Sequence, residues 1–467
     1  MNQQLMAGIG RADITPPVGI AHVNWGARTH DRAEGIDMPF WATVLMLDNG
    51  ETRLAIVDLD FLLIPTADCD KLRAAVAEEL ATTPDHVRLS CTHTHSGAPW
   101  GPDVTGGQPG LPGMELVPAF QQRIFAAVRE AARGARDGQR PARTAAAHGT
   151  SDVTVNRRLQ TNGRTIVAQN WDGERDTTMT IIRLDDVDEK PIATIVGYGT
   201  HPIVLAHQNR LLSPDYPGTV KRTVEEIVGG LCLFLQGCAG DQIPREALTG
   251  DVGAARRMGK LIGLDAARLA LGMQTRPTTR RLERIVESGA PLGLWVEDAL
   301  PDRPIPLAVA SRKVSLPVRD YGPPDALAAE SERRAAAVRT LDKQTASEAD
   351  IATANYQAKR AAMNAKWARI CAGNASREVE IQALRIGDAA LVGVPLEPFS
   401  RIGAEIRAGS KLPVTQFAGY TNGWEGYVPT DDEFAKGGYE TEWATPYGKG
   451  AAGVLVAEAR RIIAEIA

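Results

Sequence analysis

Two histidines, His93 and His95, stand at the end of a run of strand-forming residues that reads V-R-L-S-C-T over 87–92. Residues two apart in a β-strand point to the same face, so both imidazoles can converge at the end of this strand. Open α/β sheets place their chemistry at strand ends, and neutral imidazole is the commonest nitrogen ligand of zinc. The pair therefore indicates a metal site, although two histidines that are hydrogen-bonded for structural reasons would give the same pattern.

Two further candidates follow later strands. The strand-like run at 193–201 reads A-T-I-V-G-Y-G-T-H and ends at His201, which repeats the arrangement at His93. Glu397 follows strands predicted over 380–394 and lies between two prolines, where a surface carboxylate is the alternative interpretation. Two imidazoles and one carboxylate with an open position are a usual ligand set of a catalytic zinc ion.

Four more residues lie close to these candidates in the sequence. His207 and Asp215 follow His201, and either side chain could orient a ligand imidazole through a hydrogen bond. Asp241 lies in the turn G-C-A-G-D and could do the same, or act as a general base. Cys238 in this turn is nucleophilic in principle, but a small buried thiol is the favoured interpretation.

The elements around these residues indicate an α/β fold with a mixed β-sheet core and flanking helices. Strand-like runs at 40–48 and 52–58 are joined by Asn49-Gly50, a typical hairpin turn, and a helix that Thr66 could cap precedes the His93 strand. The loop Gly97–Gly113 is rich in glycine and proline and is interpreted as a substrate-covering loop, with a plain surface loop as the alternative.

Residues 325–372 differ in kind, since they are rich in Ala, Arg, Lys and Glu and carry no strand signals. They predict two long helices that form a hairpin inserted into the α/β core. We expect this insertion to be a solvated structural arm or a dimer contact with no catalytic role. The chain as a whole, 1–467, is predicted to be a single domain.

Composition excludes several classes of function. The net charge is −5, whereas a nucleic-acid partner would call for a basic surface. No apolar run approaches the roughly 20 residues that span a bilayer, and the N-terminus lacks the features of a signal peptide. The five cysteines are scattered, which is typical of reduced thiols in a cytoplasmic protein. We therefore expect a cytoplasmic protein that acts on a small molecule, with neither nucleic acid nor stable membrane association, and a homo-oligomer is compatible with these features.

Taken together, the motifs resemble those of the catalytic domain of the neutral (non-lysosomal) ceramidases and their shorter bacterial relatives. The matching stretches occur in the family's order and cover the chain nearly end to end: Arg11-Ala12-Asp13-Ile14-Thr15, Thr92-His93-Thr94-His95-Ser96-Gly97, Asn156-Arg157, Gly199-Thr200-His201, Gly240-Asp241, Val394-Pro395-Leu396-Glu397 and Gly426-Tyr427-Val428-Pro429-Thr430.

The resemblance implies hydrolysis of an amide bond at a single zinc ion. It implies that zinc is bound by four residues, which are His93, His201, Glu397 and Tyr427. It further implies that three residues face the scissile group, which are His95, Arg157 and Tyr439. The tryptophan- and tyrosine-rich segment 424–443 would then line the acyl pocket, with ordinary packing as the alternative.

The chain departs from the family in two respects. Ceramidases carry a serine with a catalytic role in the turn after Gly-Asp, whereas this chain has Ile243 there, which cannot do that chemistry. Water activated by zinc is then the simplest nucleophile. The secretion signal and the extra C-terminal β-domain of the longer ceramidases are also missing from this sequence, so we expect a smaller and more soluble substrate than ceramide.

Three other interpretations stay open at this stage. Ester or lactone hydrolysis would use the same zinc chemistry, and a non-catalytic binding homologue would explain Ile243. An amidohydrolase-type barrel also begins with His-x-His after a strand, but that fold needs further histidines, and this chain has none after His207.

Overall fold

The computed structural model describes residues 4–101, 110–342 and 345–467. Residues 102–109 of the predicted substrate-covering loop, Gly97–Gly113, lie outside the described residues. The strands are β1 (Met6–Asp13), β2 (Gly35–Ile36), β3 (Trp41–Asp48), β4 (Arg53–Leu59), β5 (Val87–Cys91), β6 (Arg140–Thr150), β7 (Thr154–Thr161), β8 (Arg164–Asn170), β9 (Thr178–Asp186), β10 (Pro191–Tyr198), β11 (Leu211–Leu212), β12 (Leu231–Gln236), β13 (Gln242–Pro244), β14 (Thr278–Glu287), β15 (Pro291–Ala299), β16 (Leu307–Pro317), β17 (Ser376–Ile386), β18 (Ala389–Gly393), β19 (Glu397–Pro398), β20 (Val414–Ala418) and β21 (Tyr427–Val428). The helices are α1 (Thr66–Leu80), α2 (Val117–Asp137), α3 (Asp215–Val228), α4 (Val252–Leu271), α5 (Pro324–Thr340), α6 (Glu348–Cys371), α7 (Ser400–Ala408), α8 (Tyr439–Glu442) and α9 (Ala451–Ile466).

Two mixed β-sheets form the core. Among the described residues, the larger sheet has the strand order β12-β10-β9-β6-β1-β3-β4-β5, and the smaller has the order β16-β17-β18-β20. Both combine antiparallel pairs with parallel ones, such as β4–β5, β10–β12 and β18–β20. The predicted mixed α/β class is therefore confirmed. The barrel alternative is wrong, because most neighbours in the larger sheet are antiparallel.

The two sheets pack face to face. Leu45 and Ile56 from the larger sheet and Leu384 and Leu391 from the smaller one belong to a single buried cluster. The alternate residues of the same strands, such as Val44, point the other way into the cluster with helices α1 and α2. This period of two is what a strand buried on both faces requires.

Helices cover the outer faces of both sheets. Helices α3 and α4 pack on the larger sheet beside α1 and α2, and helices α7 and α9 pack on the smaller sheet. The fold thus has four layers, in the order helix, sheet, sheet, helix. In the described part of the chain, no helix combines the length and the apolar character needed to cross a membrane.

The predicted turn at Asn49-Gly50 joins β3 and β4. Asp48 Oδ1 accepts a hydrogen bond of 2.7 Å from the Gly50 backbone N–H, and Gly50 has a φ of +83°, which favours glycine. The predicted cap at Thr66 is wrong. Thr66 is the first helical residue, and its hydroxyl lies 3.4 Å from Glu425 Oε1 without capping the helix.

The inserted hairpin consists of α5 and α6, which pack against each other. Helix α5 has no buried residue, as expected of a solvated arm. Helix α6 differs from that expectation, because Trp367, Ala368 and Cys371 are buried against the rest of the fold. The expectation of a solvated arm is therefore wrong for α6, which is part of the packed structure.

Candidate metal centre

The candidate site lies at the carboxyl ends of strands β5, β10 and β18. His93 and His95 follow β5, His201 follows β10, and Glu397 follows β18. His93 has a φ of +70°, a conformation that non-glycine residues seldom adopt, and its backbone N–H donates to Phe61 O at 2.8 Å. Such unfavourable backbone conformations persist only where the surrounding structure holds them, and they cluster at functional sites.

The three imidazoles converge on one point. His201 Nε2 lies 3.1 Å from His93 Nε2 and 3.2 Å from His95 Nε2, and the three residues form a group with metal-binding geometry. A ring nitrogen carries either one proton or one lone pair, so His201 Nε2 can hydrogen-bond only one of these neighbours. Nitrogen ligands placed tetrahedrally at about 2.1 Å from a zinc ion would lie about 3.4 Å apart. The arrangement therefore fits a shared cation better than a set of hydrogen bonds.

Each ligand candidate is oriented by its other ring nitrogen. His93 Nδ1 lies 2.8 Å from Leu62 O, and His201 Nδ1 lies 3.2 Å from Ala239 O. Bonds of this kind assign the proton to Nδ1 and leave the Nε2 lone pair free for a metal. Burial lowers the pKa of His93 to about 3 and the pKa of His201 well below its usual value, which keeps both rings neutral.

Glu397 completes the cluster. Its Oε2 lies 3.5 Å from His93 Nε2, and its side chain is fully enclosed. Tyr420 donates its hydroxyl to the same oxygen at 3.1 Å, and the Trp424 indole N–H donates to Oε1 at 2.7 Å. Burial raises the pKa of Glu397, and these donors act against that rise by stabilising the carboxylate.

Tyr427 is brought to Glu397 by strand pairing. Strands β19 and β21 are parallel, with Glu397 opposite Tyr427, and the Tyr427 side chain acts to lower the pKa of the Glu397 carboxyl. The Tyr427 hydroxyl also accepts a 3.0 Å hydrogen bond from Arg157 Nη2. All four predicted zinc ligands therefore lie in one cluster, and His95 contributes a further Nε2 atom that the family resemblance assigned to the substrate.

Arg157 lies on β7 and is 2% exposed. Its Nε donates to Glu440 Oε1 at 2.8 Å, and its guanidinium lies 5.4 Å from the centre of the Tyr427 ring. Glu440 also accepts from Arg158 and so holds two buried guanidinium groups. This leaves Arg157 fixed beside Tyr427 with further N–H groups available for a substrate oxygen.

The third predicted substrate-facing residue, Tyr439, begins helix α8. Its ring lies 5.4 Å from that of Tyr427 and 4.5 Å from that of Trp443. In the same segment, Trp424 packs on Trp367 at 5.8 Å. The aromatic segment therefore lies at the site, as the sequence predicts.

The remaining sequence candidates have other partners. Asp241 accepts hydrogen bonds from the backbone N–H and the hydroxyl of Ser400, at 2.7 and 3.0 Å, so its carboxylate caps helix α7. Asp215 accepts from the backbone of Leu205 and Tyr216. The imidazole of His207 lies 6.4 Å from the Trp25 ring. The ligand imidazoles are oriented by the backbone carbonyls described above.

The sequence indicates Trp424 as part of the aromatic segment 424–443, but three other residues that contact or flank the cluster were missed: Trp25, Tyr420 and Glu440. Trp25 packs against His95, with ring centres 5.2 Å apart. The partners of these side chains lie far away in the sequence, and no local spacing points to them. For Tyr420, the one available signal was its position four residues before the aromatic segment 424–443.

Comparisons with known proteins agree with this architecture. Residues 5–233 match the family model described as neutral/alkaline non-lysosomal ceramidase, N-terminal. The fold is similar to that of neutral ceramidase from Pseudomonas aeruginosa, with a TM-score of 0.65 at 19% identity over 99% of this chain and 74% of that one. A ceramidase complexed with C2 gives a TM-score of 0.64 at 19% identity with the same coverage. The motifs, the family match over residues 5–233 and the fold together show that the chain is similar to the neutral/alkaline non-lysosomal ceramidases.

Proposed function

We propose that the protein is a zinc-dependent hydrolase that cleaves an amide bond, or a related acyl bond, of a small molecule. The observation that carries this proposal is the convergence of three histidine Nε2 atoms beside the Glu397 carboxylate. Similarity to the ceramidase family supports amide hydrolysis, since the similar structures are named as ceramidases.

The residues present fit a zinc ion. His93, His201, Glu397 and Tyr427 would hold it, because imidazole nitrogen and carboxylate oxygen are ligands that zinc accepts. Their burial and their hydrogen bonds to Leu62, Ala239, Tyr420 and Trp424 hold them in place before any ion binds. When bound, zinc would polarise a substrate carbonyl and bring the pKa of water to near ~7.

The chain's own residues would act on the substrate carbonyl. Arg157 is fixed by Glu440 and carries a charge that stabilises a developing oxyanion. His95 is neutral, because burial lowers the pKa of its imidazole well below the usual value, and its Nδ1 has no hydrogen-bond partner in the described part of the chain. We assign His95 to donate a hydrogen bond to the same oxyanion, with Tyr439 beside it.

The chain offers no side-chain nucleophile at the family's serine position. Ile243 is fully buried in an apolar cluster with Val155 and Ile203. Cys238 is buried, and burial raises the pKa of its thiol well above the usual value, so it is a poor thiolate. Asp241 was a candidate base, and its hydrogen bonds to Ser400 favour a capping role. Activated water is therefore the proposed nucleophile.

The substrate is proposed to be smaller and more soluble than ceramide, and the protein is proposed to act in the cytoplasm. Ester and lactone bonds would be cleaved by the same chemistry, because both pass through a tetrahedral oxyanion. A binding homologue without turnover is the alternative that Ile243 favours.

Metal content measured by elemental mass spectrometry tests the proposal. We expect about one zinc per wild-type chain, and loss of both the metal and the turnover of an acyl panel in His93→Ala and His201→Ala. His86→Ala is the matched control, because His86 lies at the opposite end of β5 and bonds to Arg53 O at 2.9 Å. Metal content unchanged in the two site variants would refute the centre. Bound zinc without turnover of any amide, ester or lactone would support the binding homologue.

A further inference from the structure

Helix α6 of the inserted hairpin contacts two segments that flank the candidate site. On one side, Lys359 Nζ donates to Asn24 O at 2.9 Å and Asn355 Nδ2 donates to Arg28 O at 3.3 Å. On the other side, the Tyr356 ring lies edge-on to Trp443 at 6.0 Å, next to Tyr439. The hairpin therefore joins the segment 24–28, which packs on His95, to the aromatic segment beside Tyr427.

Lys359 brings a positive charge to this junction. None of the ion pairs in the described part of the chain includes its ammonium group, and the carboxylate that acts on it is Glu397. Glu397 is already engaged by Tyr420 and Trp424. Burial lowers the pKa of Lys359 to about 8, so most of the population carries the charge at neutral pH. A positive charge at this partly enclosed position would attract an anion.

Other polar groups around Lys359 also have unused hydrogen-bonding capacity. Three buried atoms near Lys359 lack a hydrogen-bond partner in the described residues, and they are Asn24 Oδ1, Trp25 Nε1 and His95 Nδ1. The last two are nitrogen atoms able to donate a proton, and the Trp25 ring lies 5.2 Å from the His95 ring. The Arg28 guanidinium is already paired with Asp31, with its Nε 3.7 Å from Asp31 Oδ1. Trp25, His95 and Lys359 are each partly open to solvent, so a small molecule could reach them.

We propose that Lys359, assisted by Trp25, binds a carboxylate of the substrate next to the scissile bond. This inference rests on the proposed function and specifies its substrate class as an amide that carries a carboxylate close to the cleaved bond, such as an N-acylated amino acid. An ammonium or guanidinium group bonded to a carboxylate forms the stronger, charge-assisted kind of hydrogen bond. A site with donors built for that anion would reject a neutral analogue, which leaves them unpaired.

A matched substrate pair tests the inference, namely N-octanoylglycine and N-octanoylglycinamide. We expect the wild type to prefer the carboxylate. We expect Lys359→Met to lower kcat/KM for N-octanoylglycine by about 10- to 100-fold, mainly through KM, while the value for the glycinamide stays within about twofold. Arg360→Met is the matched control, since Arg360 is the next residue of α6, is exposed and pairs with Glu442 at 3.8 Å. It should leave both substrates unaffected.

Two further measurements separate failure of this inference from failure of the proposed function. Binding of the uncleaved analogue N-(octylsulfonyl)glycine, measured by calorimetry against its glycinamide, needs no turnover, and the carboxylate should bind more tightly only when position 359 is cationic. Lys359→Arg keeps the charge and should keep the preference, which controls for any loss of folding in Lys359→Met. Equal loss for both substrates, or no loss for either, would overturn the inference even if the enzyme is active. If the carboxylate analogue still binds more tightly but neither substrate is hydrolysed, only the proposed function is refuted.

Discussion

Glu440 offers the sharpest test of how the site is held together. Its carboxylate bonds to Arg157 Nε at 2.8 Å and also to Arg158, and the side chains of all three residues are at most 3% exposed. Replacing Glu440 by Gln preserves its shape but removes the negative charge that compensates two buried guanidinium groups. Breaking a buried ion pair from one side costs about 3–5 kcal/mol, because the remaining charge is left without compensation.

The size of this chain sets the temperature shift that should result. With 467 residues at about 2.1 cal/mol/K each, the unfolding entropy is about 1 kcal/mol/K near the melting temperature. Glu440→Gln should therefore lower Tm by about 3–5 °C in calorimetry. It should also lower kcat on the best acyl substrate by about tenfold or more, because Arg157 loses the partner that aims it at the oxyanion.

Glu433→Gln is the matched control for this experiment. Glu433 also pairs with Arg158, at 2.8 Å, but its side chain is 15% exposed and it has a second partner in Lys436. Its removal should cost about 1 kcal/mol or less, as is usual for ion pairs near the surface. A Glu440→Gln variant no less stable than Glu433→Gln, with kcat unchanged, would refute the claim that Glu440 positions Arg157.

Two further predictions concern the support of Glu397 and the pH dependence of stability. Trp424→Phe removes the indole donor to Glu397 Oε1 and should weaken zinc affinity by about 10- to 100-fold, measured by competition with a chelator; unchanged affinity would show that this hydrogen bond does not hold the ligand. Burial raises the pKa of Asp215 to about 7, so the folded protein keeps a proton that the unfolded chain releases near pH 4. The cost of ionising Asp215 is then absent below about pH 4 and grows as the pH rises to 7. As the pH rises from 4 to 7, the urea midpoint of Asp215→Asn should therefore rise relative to that of the wild type. A difference between the two midpoints that stays constant over this range would contradict the prediction.

Much of the fold follows from local patterns. The strands predicted at 40–48 and 52–58 are found at Trp41–Asp48 and Arg53–Leu59, and the turn between them uses Asn49-Gly50. Such elements can be predicted because side-chain period and turn chemistry are properties of a few consecutive residues. The helical hairpin can be predicted for the same reason, but the way it packs on the rest of the fold cannot. The burial of Trp367 on α6 depends on Trp424, which lies 57 residues further along the chain.

The candidate site divides in the same way. His93, His95, His201 and Glu397 could be identified because each follows a strand, and the family motifs added Tyr427. The roles of these residues stay predictions until metal content is measured. Their contact with one another, however, is a property of the folded chain.

Local sequence patterns predict the strands and helices, the position of histidines at strand ends and the resemblance to the ceramidases. Three contacts, in contrast, exist only in the packed chain: His95 Nε2 meets His201 Nε2, Glu440 compensates two arginines, and Lys359 of the inserted hairpin reaches the segment beside His95. These contacts cannot be predicted locally because hydrogen bonds and ion pairs act over a few ångströms in space. Residues hundreds of positions apart can satisfy each other only after the sheets have packed, and no local pattern records which of them will meet.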